Sequence, residues 1–157
     1  AKLTNNIPKD DVMAAYADSI YESAHDLFLP LNPTINIFTG DKHINNKKNL
    51  IEDILPRAFI NFNKLIDKFE GNFFLGERAY YCDYNVFHHL SLALLIDENI
   101  LNNYPKLNKF MSDFESQNGI KEYLDSRPQL VGIGTKPKVI IDGKEYATGT
   151  NPDYNYK

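Results

Sequence analysis

Three carboxylates at four-residue intervals are the first residues whose types and spacing suggest chemistry. Asp18, Glu22 and Asp26 share one face if their segment is helical, because residues four apart lie one above another on a helix. Like charges at this spacing repel one another, so the row favours a cationic partner outside the helix. The alternative is that all three are ordinary solvated acids, the more common state of surface carboxylates.

Two histidines and the single cysteine are the other candidates for chemistry. His88 and His89 are adjacent, so on a helix they point about 100° apart and cannot chelate one metal ion together. This predicts one packed and one partly solvated histidine. Cys82 is predicted to be a small core residue, since only Arg78 lies near enough in sequence to lower its pKa. One cysteine also excludes an internal disulfide and a multi-cysteine zinc site.

The acidic row lies on the first predicted helix. The segment from Pro8 to Asp11 places a proline and two acids where a first helical turn accepts them. The apolar residues that follow recur every three or four positions and so form a stripe along one face of a helix. They are Met13, Tyr16, Ile20, Ala24, Leu27 and Leu31. Pro30 and Pro33 are predicted to bend and then end this helix. The polar residues 34–46 are predicted to form a loop.

Four further helices are predicted, at about residues 51–69, 82–96, 107–114 and 120–124. Pro56 is expected to kink the first of these, and Gly71 to stop it. The helix at residues 82–96 is apolar over most of its surface, which is typical of the centre of a bundle.

The segment from residue 127 onward is rich in glycine and proline and lacks helix signals. Val139-Ile140-Ile141 and Glu145-Tyr146-Ala147 flank Asp142-Gly143-Lys144, a pattern that predicts a small hairpin or an extended arm. Such a long segment is expected to pack over the helices rather than fold alone. The predicted fold class is therefore all-α, a five-helix bundle with an extended C-terminal tail.

Length and composition restrict the function classes. The chain has 157 residues, a formal net charge of -4 and 43% hydrophobic residues, which predicts one packed domain. A mildly acidic chain is a poor general binder of nucleic acid. The longest apolar run, residues 90–96, is too short to cross a bilayer, and no signal-peptide pattern opens the chain. A reducing cytosol is the expected location.

Four stretches, in order, resemble the C-terminal helical domain of the cytosolic glutathione transferases. The first is Ala17-Asp18 with Asp26-Leu27, and the second is Leu55-Pro56 with Phe62, Leu65 and Phe69. The third is Phe74-Leu75-Gly76-Glu77 with Asp83. The fourth is Tyr104-Pro105-Lys106-Leu107 with residues 120–124 and Arg127-Pro128. The sigma or mu class is the most similar. The resemblance implies a helical domain at residues 1–128 and a tail at residues 129–157.

The resemblance also implies that half of a transferase is missing. Residues 1–4 resemble the last turn of the third helix of the family's thioredoxin-like first domain, which carries the catalytic hydroxyl and most glutathione contacts. The chain is then a fragment of a longer protein, or the first domain lies on another chain. No catalytic residue is expected in this chain, which alone should not conjugate glutathione.

The family's functional residues map onto seven positions. Asp26 matches the aspartate that reaches across the dimer interface to the α-amino group of glutathione in the neighbouring subunit. The electrophile pocket maps onto His25, Phe28, Leu29, Asn85, His88 and His89. Some sigma-class relatives bind a divalent cation at positions matching Glu22, His25 and Asp26. Because His25 replaces a hard oxygen ligand, no metal is expected here.

The match includes a helix cap. In the family a serine or threonine caps the helix that contains Asp83, and the aspartate accepts a hydrogen bond from the backbone of the capping residue. Tyr80 occupies the capping position here and lacks a short hydroxyl. Of the two hydrogen bonds of this cap, only the one that the Asp83 carboxylate accepts from the backbone of Tyr80 is expected.

The implied function is conjugation of glutathione to small hydrophobic electrophiles, a detoxification reaction, by a cytoplasmic homodimer. Glutathione is the co-substrate, and neither nucleic acid nor membrane is a partner. The first alternative is a glutathione-dependent isomerase of the prostaglandin D synthase type. The second is a non-catalytic transferase-like scaffold domain, which would need no glutathione contact at Asp26.

Overall fold

A computed structural model describes residues 5–148 and 150–154, and its helices confirm the predicted all-α class. The α-helices are α1 Asp11–His25, α2 Phe28–Asn36, α3 Gly40–Asn49, α4 Leu55–Ile66, α5 Tyr81–Ile96, α6 Pro105–Glu115 and α7 Ile120–Ser126. None of the helices in the described ranges is long and apolar enough to cross a membrane. The predicted match of residues 1–4 to the family's third helix lies outside the described residues.

The first predicted helix is in fact two helices. Asp26 and Leu27 separate α1 from α2, and both Pro30 and Pro33 lie inside α2. The prediction that the prolines bend and end one long helix is therefore wrong. Because α2 starts anew after Leu27, Pro30 falls in its first turn, where a missing N–H costs nothing.

The predicted loop at residues 34–46 is also wrong, because α2 continues to Asn36 and α3 begins at Gly40. His43 is the one buried residue of α3, so this helix has no apolar stripe to reveal it. A π-helical turn, Leu50–Ile54, joins α3 to α4. It lies just before Pro56, where the sequence predicted a kink.

Gly71 does not stop α4, which already ends at Ile66. Its φ is +139°, and a Cβ built on it would lie 2.2 Å from the carbonyl carbon of Gly76. The glycine is therefore required by a close backbone approach in the loop between α4 and α5.

Helix α5 occupies the centre and packs against α1, α2 and α6. Its apolar residues are buried on several faces, as the sequence predicted, and they include Val86, Leu90 and Ala93. The core is rich in phenylalanine rings from α4, α6 and the loop before α5, namely Phe59, Phe62, Phe73, Phe74, Phe110 and Phe114. Burial of these rings supplies much of the favourable free energy of folding.

Asp83 fixes the start of α5. Its fully buried carboxylate accepts hydrogen bonds from the backbone N–H groups of Tyr80, at 2.8 Å, and Phe74, at 2.9 Å. The Asp83 N–H donates to the Tyr80 carbonyl rather than to a side chain. The expected half of the cap is confirmed, and the same carboxylate also fastens the preceding loop to the helix. Burial raises the pKa of Asp83, although these donors act in the opposite direction.

The tail contains a three-stranded antiparallel sheet in the order β1-β2-β3, with β1 Gln129–Val131, β2 Lys138–Ile141 and β3 Lys144–Ala147. The predicted hairpin is confirmed, with Ile141 paired to Lys144. Asp142 and Gly143 form its two-residue turn with φ values of +49° and +74°. Two successive positive φ values give a turn whose twist matches that of the strands. Strand β1 was not predicted.

The tail contacts the helices at the junction of α2 and α3. The Gly40 N–H donates to the Gly134 carbonyl at 3.0 Å, and the Thr150 hydroxyl donates to the Asn36 carbonyl at 3.2 Å. A Cβ on Gly134 would lie 2.3 Å from the ring of His43. The backbone of the tail therefore lies directly on this ring, and only glycine allows that approach.

Candidate functional site

A column of aromatic rings runs along the open side of α1 and reaches the start of α2. Tyr21 and His25 lie four residues apart on one face of α1, and Phe28 is the first residue of α2. The Tyr21 and His25 rings lie 6.1 Å apart and nearly parallel, and the His25 and Phe28 rings lie 5.7 Å apart at 6°. Tyr81, the first residue of α5, continues the column 5.8 Å from Tyr21.

Helix α5 supports this column from behind. The Asn85 side-chain amide donates to the Tyr21 carbonyl at 2.8 Å, which ties α5 to α1. The His89 ring meets the His25 ring edge-on, with centroids 6.4 Å apart. His25, Phe28, Asn85 and His89, all predicted to line the electrophile pocket, are therefore linked by direct contacts.

His89 is neutral and only half satisfied. Its Nδ1 lies 2.9 Å from the Asn85 carbonyl, and a carbonyl can only accept, so Nδ1 carries the proton. Nε2 is then an acceptor, and it is buried without a hydrogen-bond partner among the described residues. Burial lowers the pKa of His89, and the neighbouring His88 and His25 act in the same direction.

His88 faces another part of the molecule. It is exposed, whereas His89 is 2% exposed, which confirms the prediction of one solvated and one packed histidine. His88 lines a cavity with Leu124 of α7 and with Arg127. Although the residue is exposed, partial desolvation of its ring, and secondarily the charge of Arg127, lowers the pKa of His88. The structure therefore separates His88 from the His25 and Phe28 end of the column.

Asp26 and the residues after it form an exposed end to the column. The Asp26 carboxylate makes no hydrogen bond or ion pair with residues 5–148 or 150–154, although its backbone N–H donates to the Glu22 carbonyl. Phe28 is 42% exposed and Leu29 is 77% exposed. The Asp26 carboxylate lines a depression with Leu27 and with Arg57 and Asn61 of α4, and it forms no ion pair with Arg57.

The acidic row of α1 is partly satisfied from within the chain. The Tyr81 hydroxyl donates to the Asp18 carboxylate, and burial together with this bond raises the pKa of Tyr81. A cationic partner is therefore not needed at that end of the row. No group of three or more acidic, histidine or cysteine side chains in the described ranges is placed to hold a metal ion.

Cys82 is a buried core residue, as predicted. Its thiol donates to the Asp83 carboxylate at 3.6 Å, and burial raises its pKa, so the reactive thiolate is disfavoured.

Sequence reasoning missed three residues around the site. Tyr21 had a local signal, since it lies four residues before His25 on the same helix. Tyr81 and Arg127 had none, because their contacts depend on how distant helices pack.

Comparison with known proteins identifies the fold family. A sequence model described as "Glutathione S-transferase, C-terminal domain" matches residues 25–127, about two thirds of the chain. The chain belongs to this family. The matched segment contains Asp26 and all six residues predicted to line the electrophile pocket.

Curated relatives of the glutathione transferase family cover more of the chain. The Caenorhabditis elegans protein "Glutathione S-transferase P" is 26% identical over 147 residues, which are 92% of this chain and 66% of that protein. The Dirofilaria immitis protein "Glutathione S-transferase" is 26% identical over 121 residues, or 76% of this chain and 56% of that protein. The chain thus spans about half to two thirds of the length of these relatives.

Solved transferase structures have the same fold. The Pi-class glutathione S-transferase of Onchocerca volvulus superposes with a TM-score of 0.73 at 25% identity, covering 81% of this chain and 60% of that one. A rat hPGDS complexed with a quinoline superposes with a TM-score of 0.67 at 15% identity, covering 77% and 59%, and supports the fold alone. The sigma or mu class inferred from the sequence stays a prediction.

Proposed function

We propose that this chain is the helical half of a homodimeric cytoplasmic glutathione transferase that conjugates glutathione to small hydrophobic electrophiles. Family membership and relatives that are named glutathione transferases support the proposal. The chain would supply a wall of the electrophile pocket and part of the dimer interface. A thioredoxin-like domain, on the same protein or another chain, would supply the residue that activates the thiol.

In this reaction the glutathione thiol loses its proton and the thiolate attacks an electrophilic carbon, forming a carbon–sulfur bond. The electron pair of the bond that breaks leaves with the leaving group, or passes to the electrophile's own double bond and is then protonated. The residues of this chain orient the reactants and exclude water, because they present apolar surface rather than a general base.

The observation that carries the proposal is the exposed Asp26 carboxylate, which has no partner among the described residues and is followed in the chain by exposed Phe28 and Leu29. A carboxylate suits the α-ammonium group of glutathione, since the hydrogen bond between them is charge-assisted. In the proposed dimer this glutathione belongs to the neighbouring subunit. The exposed apolar side chains of Phe28 and Leu29, which follow Asp26 within three residues, suit the electrophile.

Substitution of Asp26 tests the proposal. In the full-length protein, Asp26→Ala should weaken glutathione binding by roughly ten- to a hundredfold, because a charge-assisted hydrogen bond contributes about 1.5–3 kcal/mol. The apparent affinity for the electrophile should stay nearly unchanged. Titration calorimetry with glutathione measures the first quantity and steady-state kinetics the second.

Glu22→Ala provides the matched control, since it removes an exposed carboxylate one turn earlier on α1. It should leave glutathione affinity within about twofold of the parent protein, because charges in bulk solvent interact weakly. Equal losses for the two variants would reduce Asp26 to a surface acid and favour a scaffold role. A protein that binds glutathione but isomerises its substrate instead of conjugating it would favour the isomerase alternative.

The 157-residue chain alone should be folded and catalytically silent. Its core is formed by its own helices, whereas the thiol-activating group would lie on the other domain. Helical circular dichroism with a cooperative thermal transition, and no conjugation of 1-chloro-2,4-dinitrobenzene, is the expected result. Turnover by this chain alone would contradict the division of labour proposed here.

A further inference from the structure

A cleft of about 450 Å³ lies between α5, α7 and β1, a volume in the range of small-molecule sites. Leu92 and Leu95 of α5 form one wall, and Leu130 and Val131 of β1 form the other. A smaller cavity of about 160 Å³, with aromatic walls, adjoins it. Both cavities are lined by His88, Leu124 and Arg127. We call the larger one, together with this shared boundary, the tail cleft.

Arg127 is the only charged side chain that lines either cavity within the described residues, because His88 is neutral at pH 7. Arg127 is half-buried, and its guanidinium makes no hydrogen bond or ion pair with residues 5–148 or 150–154. Glu115 and Asp125 share a shallower depression with Arg127, but neither forms an ion pair with it.

A cation without a counter-ion on apolar walls favours one class of ligand. Partial removal of a guanidinium from water costs free energy, and a carboxylate paired with it recovers that cost through charge-assisted hydrogen bonds. The Ser91 hydroxyl already donates to the Phe87 carbonyl at 2.8 Å, so it competes little for such a ligand. Asn36, His88 and Gln129 are the other polar residues of the lining, and the rest of the lining is apolar.

The outer wall of the cleft is built by the tail. Residues 128–131 follow the segment that matches the transferase family, which ends at Arg127. Strand β1 holds its place by pairing with β2, and the tail is fastened to the helices at Gly40 and Asn36. The charge therefore comes from the last family-matched residue, and the apolar wall opposite α5 comes from the segment after it.

We propose that the tail cleft binds an amphipathic anion, a carboxylate on an unbranched apolar chain, with the carboxylate on Arg127 and the chain between Leu95 and Leu130. The proposal does not rest on glutathione transfer. It concerns binding, and it can be tested on the 157-residue chain without glutathione.

Octanoate and octanamide are suitable probes, because they share an apolar chain and differ in charge. Titration calorimetry should show octanoate binding at least tenfold more tightly than octanamide, with one site per chain. Arg127→Met should weaken octanoate binding about tenfold and leave octanamide unchanged. Arg127→Lys should recover part of the loss, because it keeps the charge without the planar fork.

Two further variants complete the test. Lys121→Met removes an exposed cation of α7, the helix that ends just before Arg127, and should change neither affinity, because Lys121 lines the shallower depression and neither of the two cavities. Leu95→Ser should weaken both probes, and because Leu95 is partly exposed the chain should still fold. A thermal transition recorded for each variant verifies folding.

Equal affinity for the two probes, an unchanged octanoate affinity in Arg127→Met, or unchanged affinities in Leu95→Ser would each overturn the proposal. So would the absence of octanoate binding at millimolar concentration. The Asp26 titration with glutathione reports on a separate residue, so failure here and failure of the proposed transferase function can be told apart.

Discussion

Two groups of aromatic rings in this molecule use the same ring chemistry in opposite ways. The inner group, Phe62, Phe73, Phe74, Phe110 and Phe114, is buried, and most of its contacts are nearly perpendicular. The outer group is the column of Tyr81, Tyr21, His25 and Phe28, in which the His25 ring lies nearly parallel to both of its neighbours on α1 and α2. In edge-to-face packing each ring contacts neighbours in several directions, whereas a stack of parallel rings ends in a ring whose outer face has no neighbour. The inner rings stabilise the fold, and the outer rings leave an exposed surface, which the proposed function assigns to the electrophile.

The largest expected effect comes from the inner group. Phe110→Ala should lower the free energy of unfolding by about 3–5 kcal/mol, since it removes a buried ring that contacts three others. Denaturant unfolding followed by circular dichroism measures this change. The ranking of electrophiles in the full-length protein should stay the same. A small loss of stability would end the distinction between the two groups.

An intermediate effect is expected where the column meets the core, at His89. Its folded pKa is lowered, so between pH 6.5 and that lower value the unfolded chain binds more protons than the folded one. His89 therefore destabilises the fold as the pH falls below 6.5, by less than about 1.4 kcal/mol per pH unit. Its contribution to the pH dependence fades as the pH rises above 7, because the imidazole is then increasingly neutral in both states.

His89→Leu should flatten the stability profile between pH 5 and pH 7, as measured by denaturant unfolding at several pH values. His88, whose pKa is also lowered, and His25, which faces His89, are present in both proteins, so the difference profile reports His89 together with its interactions with these two rings. Identical slopes would show that His89 does not titrate differently in the two states.

The smallest effect on stability is expected at the open end of the column. Phe28→Ala should cost about 1–1.5 kcal/mol, well below the cost at Phe110, because this residue is 42% exposed and only part of its apolar surface is buried on folding. In the full-length protein it should instead change the ranking of electrophiles by size, with the larger planar ones affected most. Melting temperature and kcat/KM for a graded series measure the two effects. A large loss of stability with an unchanged ranking would place Phe28 in the core.

The long apolar stripes made much of the helical body predictable. Helices α5 and α6 lie where they were predicted, because the spacing of apolar residues along the sequence reflects which side chains of these helices are buried. Helix α3 was missed because His43 is its one buried residue, and a polar helix that is held by its neighbours has no periodic signal. The break at Asp26 was missed because prolines further along the chain were the stronger local signal.

The candidate site was predictable only in part. Asp26 and the six residues of the predicted pocket came from resemblance, and the structure joins four of them around the aromatic column. His88 was grouped with His89 because they are adjacent, yet adjacent helical residues face different neighbours. The contact of Tyr81 with Asp18, which joins α5 to α1, depends on helix packing and has no local pattern.

The close contact of Gly134 with the His43 ring belongs to a late stage of folding, in which the tail docks on the helices. The hydrogen bond from Gly40 to Gly134 joins residues far apart in the chain, whereas each strand of the tail sheet pairs with a near neighbour in sequence. Contacts between distant residues form late, because closing a long loop costs entropy. The sheet can therefore form before it docks, and it can detach from the helices without breaking a strand pairing.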